Sequence, residues 1–240
     1  MLVFILVNKF NFEGRSFKVM YMIYPLLCML IPCFIYQIIT IKSKSLEYKT
    51  DLTSHFIWAY IFLFYIYLAI SVAGIGSIWD IGQYGNIIRI EEINLVPFNS
   101  SGVITYILNI IMFMPLGFLL PLIWDQFRSL RKVFFVGLFF SLAIEFCQLF
   151  NHRATDIDDL MMNSLGAVLG YLIWLSLINL VKNASRSPIF VYMDKSNFKN
   201  KFSLYINKKT IYISNYEPVI YLVLAILGEF LFFNWMLIPG

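Results

Sequence analysis

The chain has 240 residues, of which 60% are hydrophobic and only 13% are charged, and its formal net charge is +4. Its mean hydropathy is +0.76. A soluble domain of this length needs far more charge to cover its surface, so the composition excludes an ordinary soluble globular protein. The basic residues lie in short segments between apolar runs rather than on one basic face, so we expect no nucleic-acid partner.

Six apolar runs approach the ~20 residues that a helix needs to cross the hydrocarbon core of a bilayer. Because the backbone in lipid must satisfy its own hydrogen bonds, each run is predicted to be a helix. The sequence therefore predicts an all-α fold, a polytopic transmembrane helix bundle of about six spans, with membrane lipids as its surroundings. The predicted spans are 20–41, 56–76, 103–124, 133–150, 160–181 and 218–238.

Two segments between these runs have a different character. Residues 77–102 are too polar to span and too apolar to stay in water, so we expect an interfacial or partly re-entrant stretch. Within 182–217, apolar and polar residues alternate around a turn, which predicts a small soluble hairpin-like insertion. The chain accordingly divides into an N-terminal transmembrane helix and first loop (1–55), a membrane domain (56–181), and a basic loop with a C-terminal transmembrane helix (182–240).

The distribution of Lys and Arg predicts the orientation. The loops at 42–55, 125–132 and 182–217 contain three, three and seven basic residues. On the opposite side, the N-terminal segment contains three, and the segments 77–102 and 151–159 contain one each. The first three loops are therefore predicted to be cytoplasmic, and the last two segments are predicted to face outward.

Polar residues inside predicted spans need a reason, because a charge in the bilayer costs several kcal/mol. Glu145 lies near the outer end of the fourth span, and Gln148 follows three residues later on the same helix face. Asn109 lies in the third span, ahead of Pro115, which is expected to kink the helix and bring Asn109 toward the same end. An interhelical hydrogen bond of Asn109 is the alternative interpretation.

An acidic cluster follows the fourth span directly. If the next helix begins near Asp156, then Asp156, Asp159 and Asn163 lie at i, i+3 and i+7 on one stripe, beside Arg153. A short connection makes the two helices antiparallel neighbours, so these side chains are expected to meet Glu145 and Gln148 in one outward polar pocket. The alternative is structural, because Asp near a helix N-terminus caps the helix and suits its dipole.

Metal and cofactor sites have weaker support. Asp156 and Asp159 offer the oxygen ligands that hard divalent cations prefer, but two carboxylates without a known geometry are weak candidates. Cys28, Cys33 and Cys147 all lie in apolar runs without a CxxC spacing, so they are expected to be buried thiols. No cofactor is evident.

The motifs around these residues resemble the VanZ-like family over about residues 60–180. They are Asn94-Leu-Val-Pro97-Phe98, Asn109-Ile-Ile-Met-Phe113-Met-Pro115-Leu-Gly117-Phe-Leu-Leu-Pro121, Ser141-Leu-Ala-Ile-Glu145-Phe-Cys-Gln148 and Arg153-Ala-Thr-Asp156-Ile-Asp158-Asp159-Leu-Met-Met-Asn163-Ser-Leu-Gly166-Ala-Val-Leu-Gly170-Tyr. The resemblance implies a small polytopic membrane protein, mostly bacterial, in a family whose founding member is associated with low-level teicoplanin resistance without altered peptidoglycan precursors. The resemblance favours a functional site at the polar cluster.

Three functions remain open at this point. The first is a membrane factor whose outward pocket binds an envelope component, such as a lipid-linked precursor or the glycopeptide itself, and so changes susceptibility. The second is an intramembrane enzyme that acts on a lipid-linked substrate, with Glu145 as acid or base. The third is a proton-coupled transporter in which Glu145 titrates, although the sequence shows no internal repeats.

Overall fold

The computed structural model describes residues 15–43, 52–83, 93–98, 102–151, 155–184 and 216–237. Within these residues the chain forms six α-helices, so the predicted all-α fold class is confirmed. The helices are α1 (Arg15–Ser43), α2 (Leu52–Ala73), α3 (Val103–Ile123), α4 (Leu130–Gln148), α5 (Ile157–Ala184) and α6 (Glu217–Phe232). Most of the predicted hairpin-like insertion lies outside the described residues.

Four of the six helices, α1, α2, α3 and α5, contain segments long and apolar enough to cross a membrane. Helix α4 has 19 residues, but Arg131, Lys132 and Glu145 interrupt its apolar run. Helix α6 has 16 residues, which is about 24 Å at 1.5 Å per residue and less than the ~30 Å hydrocarbon core. Instead of continuing to residue 238, α6 gives way to a 3-10 turn at Trp235–Leu237.

Helix α5 packs most extensively against α3 and also packs against α4. Glycines allow its backbone to approach α3 closely: a Cβ atom added at Gly117 would lie 1.8 Å from the Ala167 carbonyl oxygen, and one at Gly170 would lie 1.9 Å from that of Met114. Gly166 and Gly170, four residues apart, thus form a small-residue face that permits close helix contact. Helix α1 packs against α6, where Gly228 approaches the Cys28 carbonyl in the same way.

A short parallel β-bridge was not predicted. Strand β1 (Ile93–Asn94) pairs with β2 (Thr155–Asp156), in the register Ile93 to Thr155 and Asn94 to Asp156. The bridge fixes the chain ahead of α3 against the chain ahead of α5. We call this end of the bundle the Asp158 end, after the buried residue in the first turn of α5.

The opposite end is held by a buried carboxylate, and we call it the Glu217 end. Glu217, the first residue of α6, is 1% exposed. Its Oε2 accepts a hydrogen bond from Trp124 Nε1 at 2.7 Å and lies 2.8 Å from His55 Nε2. Its Oε1 accepts one from the Tyr221 hydroxyl at 2.8 Å. The start of α2, the end of α3 and the start of α6 are thereby joined.

The same network reaches helix α1. Gln37 donates a hydrogen bond from Nε2 to the Tyr221 hydroxyl at 2.9 Å, and its Oε1 accepts one from Tyr60 at 2.7 Å. Both side-chain polar groups of Gln37 therefore have a partner, as burial away from water requires. The network also brings together the described ends of the three segments 42–55, 125–132 and 182–217.

Close packing at Gly170 leads to a stability prediction. Gly170→Ala places a methyl group against backbone atoms of α3 that cannot move without separating the helices, so we expect a loss of about 1–3 kcal/mol. The measurement is thermal unfolding of the purified protein in detergent. Ser176→Ala, at an exposed position of the same helix, is the control and should change stability by no more than ~0.5 kcal/mol. Equal melting temperatures for the two variants would contradict the packing argument.

The Glu217 network leads to a second stability prediction. Glu217→Gln leaves one acceptor oxygen where the carboxylate has two and directs an amide N–H₂ at a hydroxyl or ring N–H, so we expect a loss of about 1–3 kcal/mol. Asp125→Asn, which removes a half-exposed ion pair with Arg128 at the same end, should cost at most about 1 kcal/mol. Thermal unfolding of both variants tests the difference, and an unchanged midpoint for Glu217→Gln would show that the network adds nothing.

Candidate functional site

The first turn of α5 brings three acidic residues into different surroundings. Helix α5 begins at Ile157, and Asp156 precedes it in β2. Asp156 Oδ1 accepts the backbone N–H of Asp158 at 3.0 Å, so Asp156 satisfies a free donor of the helix start, as the capping interpretation expects. Asp156 is therefore not on the helical stripe, which retains Asp159 and Asn163.

Asp158 is the most deeply buried residue of the cluster, and it was not among the predicted site residues. Its side chain has no exposed surface. The backbone N–H of Phe98 donates to both carboxylate oxygens, at 2.8 and 3.0 Å, and the hydroxyl of Tyr106 donates to Oδ2 at 2.8 Å. Asp158 thus joins the segment ahead of α3, the first turns of α3 and the start of α5.

The sequence contained a signal for these partners. Phe98 lies in the Asn94-Leu-Val-Pro97-Phe98 motif, and Tyr106 precedes Asn109 by three residues on the same face of α3. What the sequence did not show is which of three neighbouring carboxylates these groups bind.

Asp159 connects α5 to α3. Its Oδ1 accepts a hydrogen bond from Asn109 Nδ2 at 2.5 Å. Asn109 therefore makes an interhelical hydrogen bond, and its partner is a member of the acidic cluster. One hydrogen bond therefore fits both interpretations of Asn109, because it joins two helices and also brings Asn109 to the acidic cluster.

Glu145 is buried on α4, with 5% of its surface exposed. Its Oε2 accepts the backbone N–H of Asp156 at 3.3 Å, and its own carbonyl accepts the Thr155 hydroxyl at 3.4 Å. The carboxylate of α4 thus lies against β2, beside the start of α5. This contact brings Glu145 to the acidic cluster.

Gln148 shares a helix face with Glu145 but binds elsewhere. Its Nε2 donates to the carbonyl of Ala73, the last residue of α2, at 2.8 Å. Asn151 Nδ2 donates to the next carbonyl, that of Gly74, at 2.9 Å. Gln148 therefore satisfies a free carbonyl at the C-terminus of α2, and its side-chain amide nitrogen is used there.

Asn163 lies one turn deeper, against α4. Its Nδ2 donates to the hydroxyl of Ser141 at 2.9 Å, and both residues are buried. Ser141, Glu145 and Gln148 form one polar stripe on α4, at i, i+4 and i+7. Among the described residues, neither Asn163 Oδ1 nor Gln148 Oε1 has a hydrogen-bond partner, although both atoms are buried. Buried acceptors of this kind can receive a donor from a ligand or a water molecule.

The remaining predicted site residue, Arg153, lies outside the described residues. Asp156 and Asp159, the two candidate metal ligands, have different side-chain partners: Asn94 Nδ2 donates to Asp156 Oδ1 at 3.3 Å, and Asn109 donates to Asp159. Among the described residues, no group of three or more His, Cys, Asp and Glu side chains is arranged to hold a metal ion. The observed chemistry of the Asp158 end is hydrogen bonding by buried carboxylates.

Comparison with known proteins concerns this same part of the chain. Protein VanZ of Enterococcus faecium is 38% identical over 82 residues, which cover 33% of this chain and 50% of that protein. The chain thus spans about half the length of the curated relative that it matches. No solved structure gave a significant match. A family model described as VanZ/LLP1 matches residues 62–181, half of the chain, from α2 through the acidic cluster to the later part of α5. The chain belongs to the VanZ/LLP1 family.

Proposed function

We propose that this protein is a multi-pass cell-membrane protein that lowers the susceptibility of the cell to glycopeptides, teicoplanin in particular, through the polar site at its Asp158 end. The observation that carries the proposal is a set of carboxylates gathered at one end of an apolar bundle: Glu145 of α4, Asp156 of β2, and Asp158 and Asp159 of α5. Buried acidic residues in a membrane protein are costly, so their concentration at one place indicates a function.

The site lies in the half of the chain that matches the family. The founding member of the VanZ-like family is associated with low-level teicoplanin resistance. Buried acceptors at Gln148 Oε1 on α4 and Asn163 Oδ1 on α5 supply unused hydrogen-bonding capacity. The partner that fits this chemistry is an envelope component with hydrogen-bond donors, such as a lipid-linked precursor head group or the glycopeptide itself.

The orientation proposed for the site is outward. The Glu217 network gathers the ends of the three basic loops at the opposite end of the bundle. Positively charged loops favour the cytoplasmic side, so the Asp158 end is proposed to face the outside, where glycopeptides act.

The alternatives use the same carboxylates. An intramembrane enzyme for a lipid-linked substrate would need Glu145 as acid or base, and a proton-coupled transporter would need it to titrate. No contact of the described residues favours either alternative over binding.

The charge of the site gives the functional prediction. Glu145→Gln keeps an oxygen that can accept the Asp156 N–H, and Asp159→Asn keeps one that can accept from Asn109, so both variants should remain abundant in the membrane. Because each lacks a charge that the site uses, both should lose the protection against teicoplanin. The measurement is the minimum inhibitory concentration in a host that lacks the gene, with membrane protein level determined in parallel.

Asp125→Asn is the matched control, because it removes one carboxylate at the Glu217 end and should keep full protection. If Glu145→Gln and Asp159→Asn are abundant and protect as well as the unchanged protein, the carboxylates are structural and the proposed site is wrong.

Orientation has its own test. We expect a single cysteine at Gln83, at the Asp158 end, to react with a membrane-impermeant maleimide added to intact cells, in a background without the three native cysteines. A cysteine at Ser129, ahead of α4, should react only after the membrane is permeabilised. Labelling of Ser129 with protection of Gln83 would reverse the proposed orientation and remove the site from the outer surface.

A further inference from the structure

The segment between β1 and α3 presents apolar side chains to the surroundings of the bundle. Leu95 is 70% exposed and Phe98 63%, and Val96 and Pro97 between them are exposed as well. We call Leu95–Phe98 the apolar loop. Four consecutive exposed apolar residues in a loop need an explanation, because exposed apolar surface usually marks a contact.

The backbone of the apolar loop is unusually well supplied with hydrogen-bond partners. The N–H of Val96 donates to Asn94 Oδ1 at 3.2 Å, and that of Phe98 donates to the carboxylate of Asp158. Pro97 has no N–H. From Val96 to Phe98, no backbone donor is left that needs water. Backbone N–H groups that are satisfied inside the protein lower the cost of placing irregular backbone near lipid.

Asp158 also stabilises an uncommon backbone conformation at Phe98. Phe98 has φ of 64°, in the left-handed region that aromatic residues seldom adopt. Such a conformation is strained and persists only where its surroundings maintain it. Here the buried carboxylate binds the Phe98 N–H, and the ring of Tyr106 contacts that of Phe98 edge-on, at 6.0 Å between centroids.

The apolar loop precedes a helix that could span the membrane and contacts its first turns. On the first turns of α3, Ile104 is 73% exposed, and Val103 and Ile107 are exposed beside it. Helix α3 is long and apolar enough to cross the membrane, so this face is expected to contact lipid. Because the loop precedes α3 and Phe98 contacts Tyr106 in the first turns of that helix, we expect the loop at the level where a span along α3 would end, which is the boundary between acyl chains and head groups.

We propose that the apolar loop, Leu95–Phe98, is inserted into the lipid bilayer at the boundary between acyl chains and head groups, and that buried Asp158 holds it there. The occupant of the apolar surface is lipid rather than a second protein, since Phe98 packs against Tyr106 in the first turns of α3, where exposed apolar residues are expected to contact lipid. The carboxylate that anchors the loop adjoins Asp159 and Asp156, so contact with the membrane surface is mechanically linked to the polar site.

The experiment measures the depth of the loop directly. The full-length protein without its three native cysteines carries the fluorophore NBD on a single cysteine at Val96 and is reconstituted into phosphatidylcholine and phosphatidylglycerol vesicles. Lipids with a nitroxide at acyl carbon 5 should quench this NBD strongly, and aqueous iodide should quench it weakly. NBD at Gln83, an exposed polar position at the same end of the bundle, is the control and should show the reverse order.

Two results would overturn the insertion: quenching by acyl nitroxide no stronger at Val96 than at Gln83, or protection at Val96 from both quenchers, which would indicate a protein partner instead.

The role of Asp158 is tested in the same background. Asp158→Ala should move the Val96 probe toward water, while Asp158→Asn, which keeps an acceptor for the Phe98 N–H, should restore most of the acyl-chain quenching. An unchanged depth of the Val96 probe in Asp158→Ala would exclude Asp158 as the anchor. If the Asp158→Ala protein does not assemble in the membrane, the depth of the loop is still decided by the Asp158→Asn variant and by the protein with Asp158 unchanged. Because no step depends on teicoplanin, failure here is distinct from failure of the proposed function.

Discussion

A carboxylate in a bundle surrounded by lipid is tolerated only where the protein supplies the hydrogen bonds that water would otherwise give. Asp158 meets this condition with the backbone N–H of Phe98 and the hydroxyl of Tyr106. The arrangement of the Asp158 end follows from this need for hydrogen-bond donors. The segment ahead of α3 must lie against α5 for the N–H to reach, and the β-bridge between Asn94 and Asp156 holds the two chains at that distance.

The two ends of the bundle satisfy their buried carboxylates with different kinds of hydrogen-bond donor. At the Glu217 end, the donors are side chains, Trp124, Tyr221 and the ring of His55, contributed by separate helices. At the Asp158 end, the donors to Asp158 and Glu145 are largely backbone N–H groups of the segments that precede α3 and α5. Side-chain donors join helices to one another, whereas backbone donors shape the connecting segments. Only the second arrangement defines the path of the chain around a site.

Close contact between α3 and α5 makes the polar arrangement possible. Gly117, Gly166 and Gly170 bring the two backbones within van der Waals distance, so short side chains can bond across the interface. Asn109 reaches Asp159 for this reason. Lipid tails give helices no hydrophobic reason to associate, so packing of small residues and interhelical hydrogen bonds must provide the association. In this protein both are found on the same pair of helices, and the polar site is built on that pair.

The class of the molecule and most of its helices follow from the amino-acid sequence alone. Runs of about 20 apolar residues can only be helices in lipid, so α1 to α5 were placed close to their observed bounds. It also indicated the region of the polar cluster, because the cost of a buried charge makes Glu145 stand out at any position in a span. The hydrogen-bond partners of these side chains depend on the tertiary structure. Glu145 and Gln148 share a helix face, yet one meets β2 and the other meets the end of α2, because different elements pack along that face. Asp156, Asp158 and Asp159 are equivalent in the sequence, but a helix start directs neighbouring side chains toward a cap, a loop and a neighbouring helix respectively. Helical spacing predicts on which side of a helix each side chain lies. Which residue packs against that side depends on contacts between segments that are far apart in the chain.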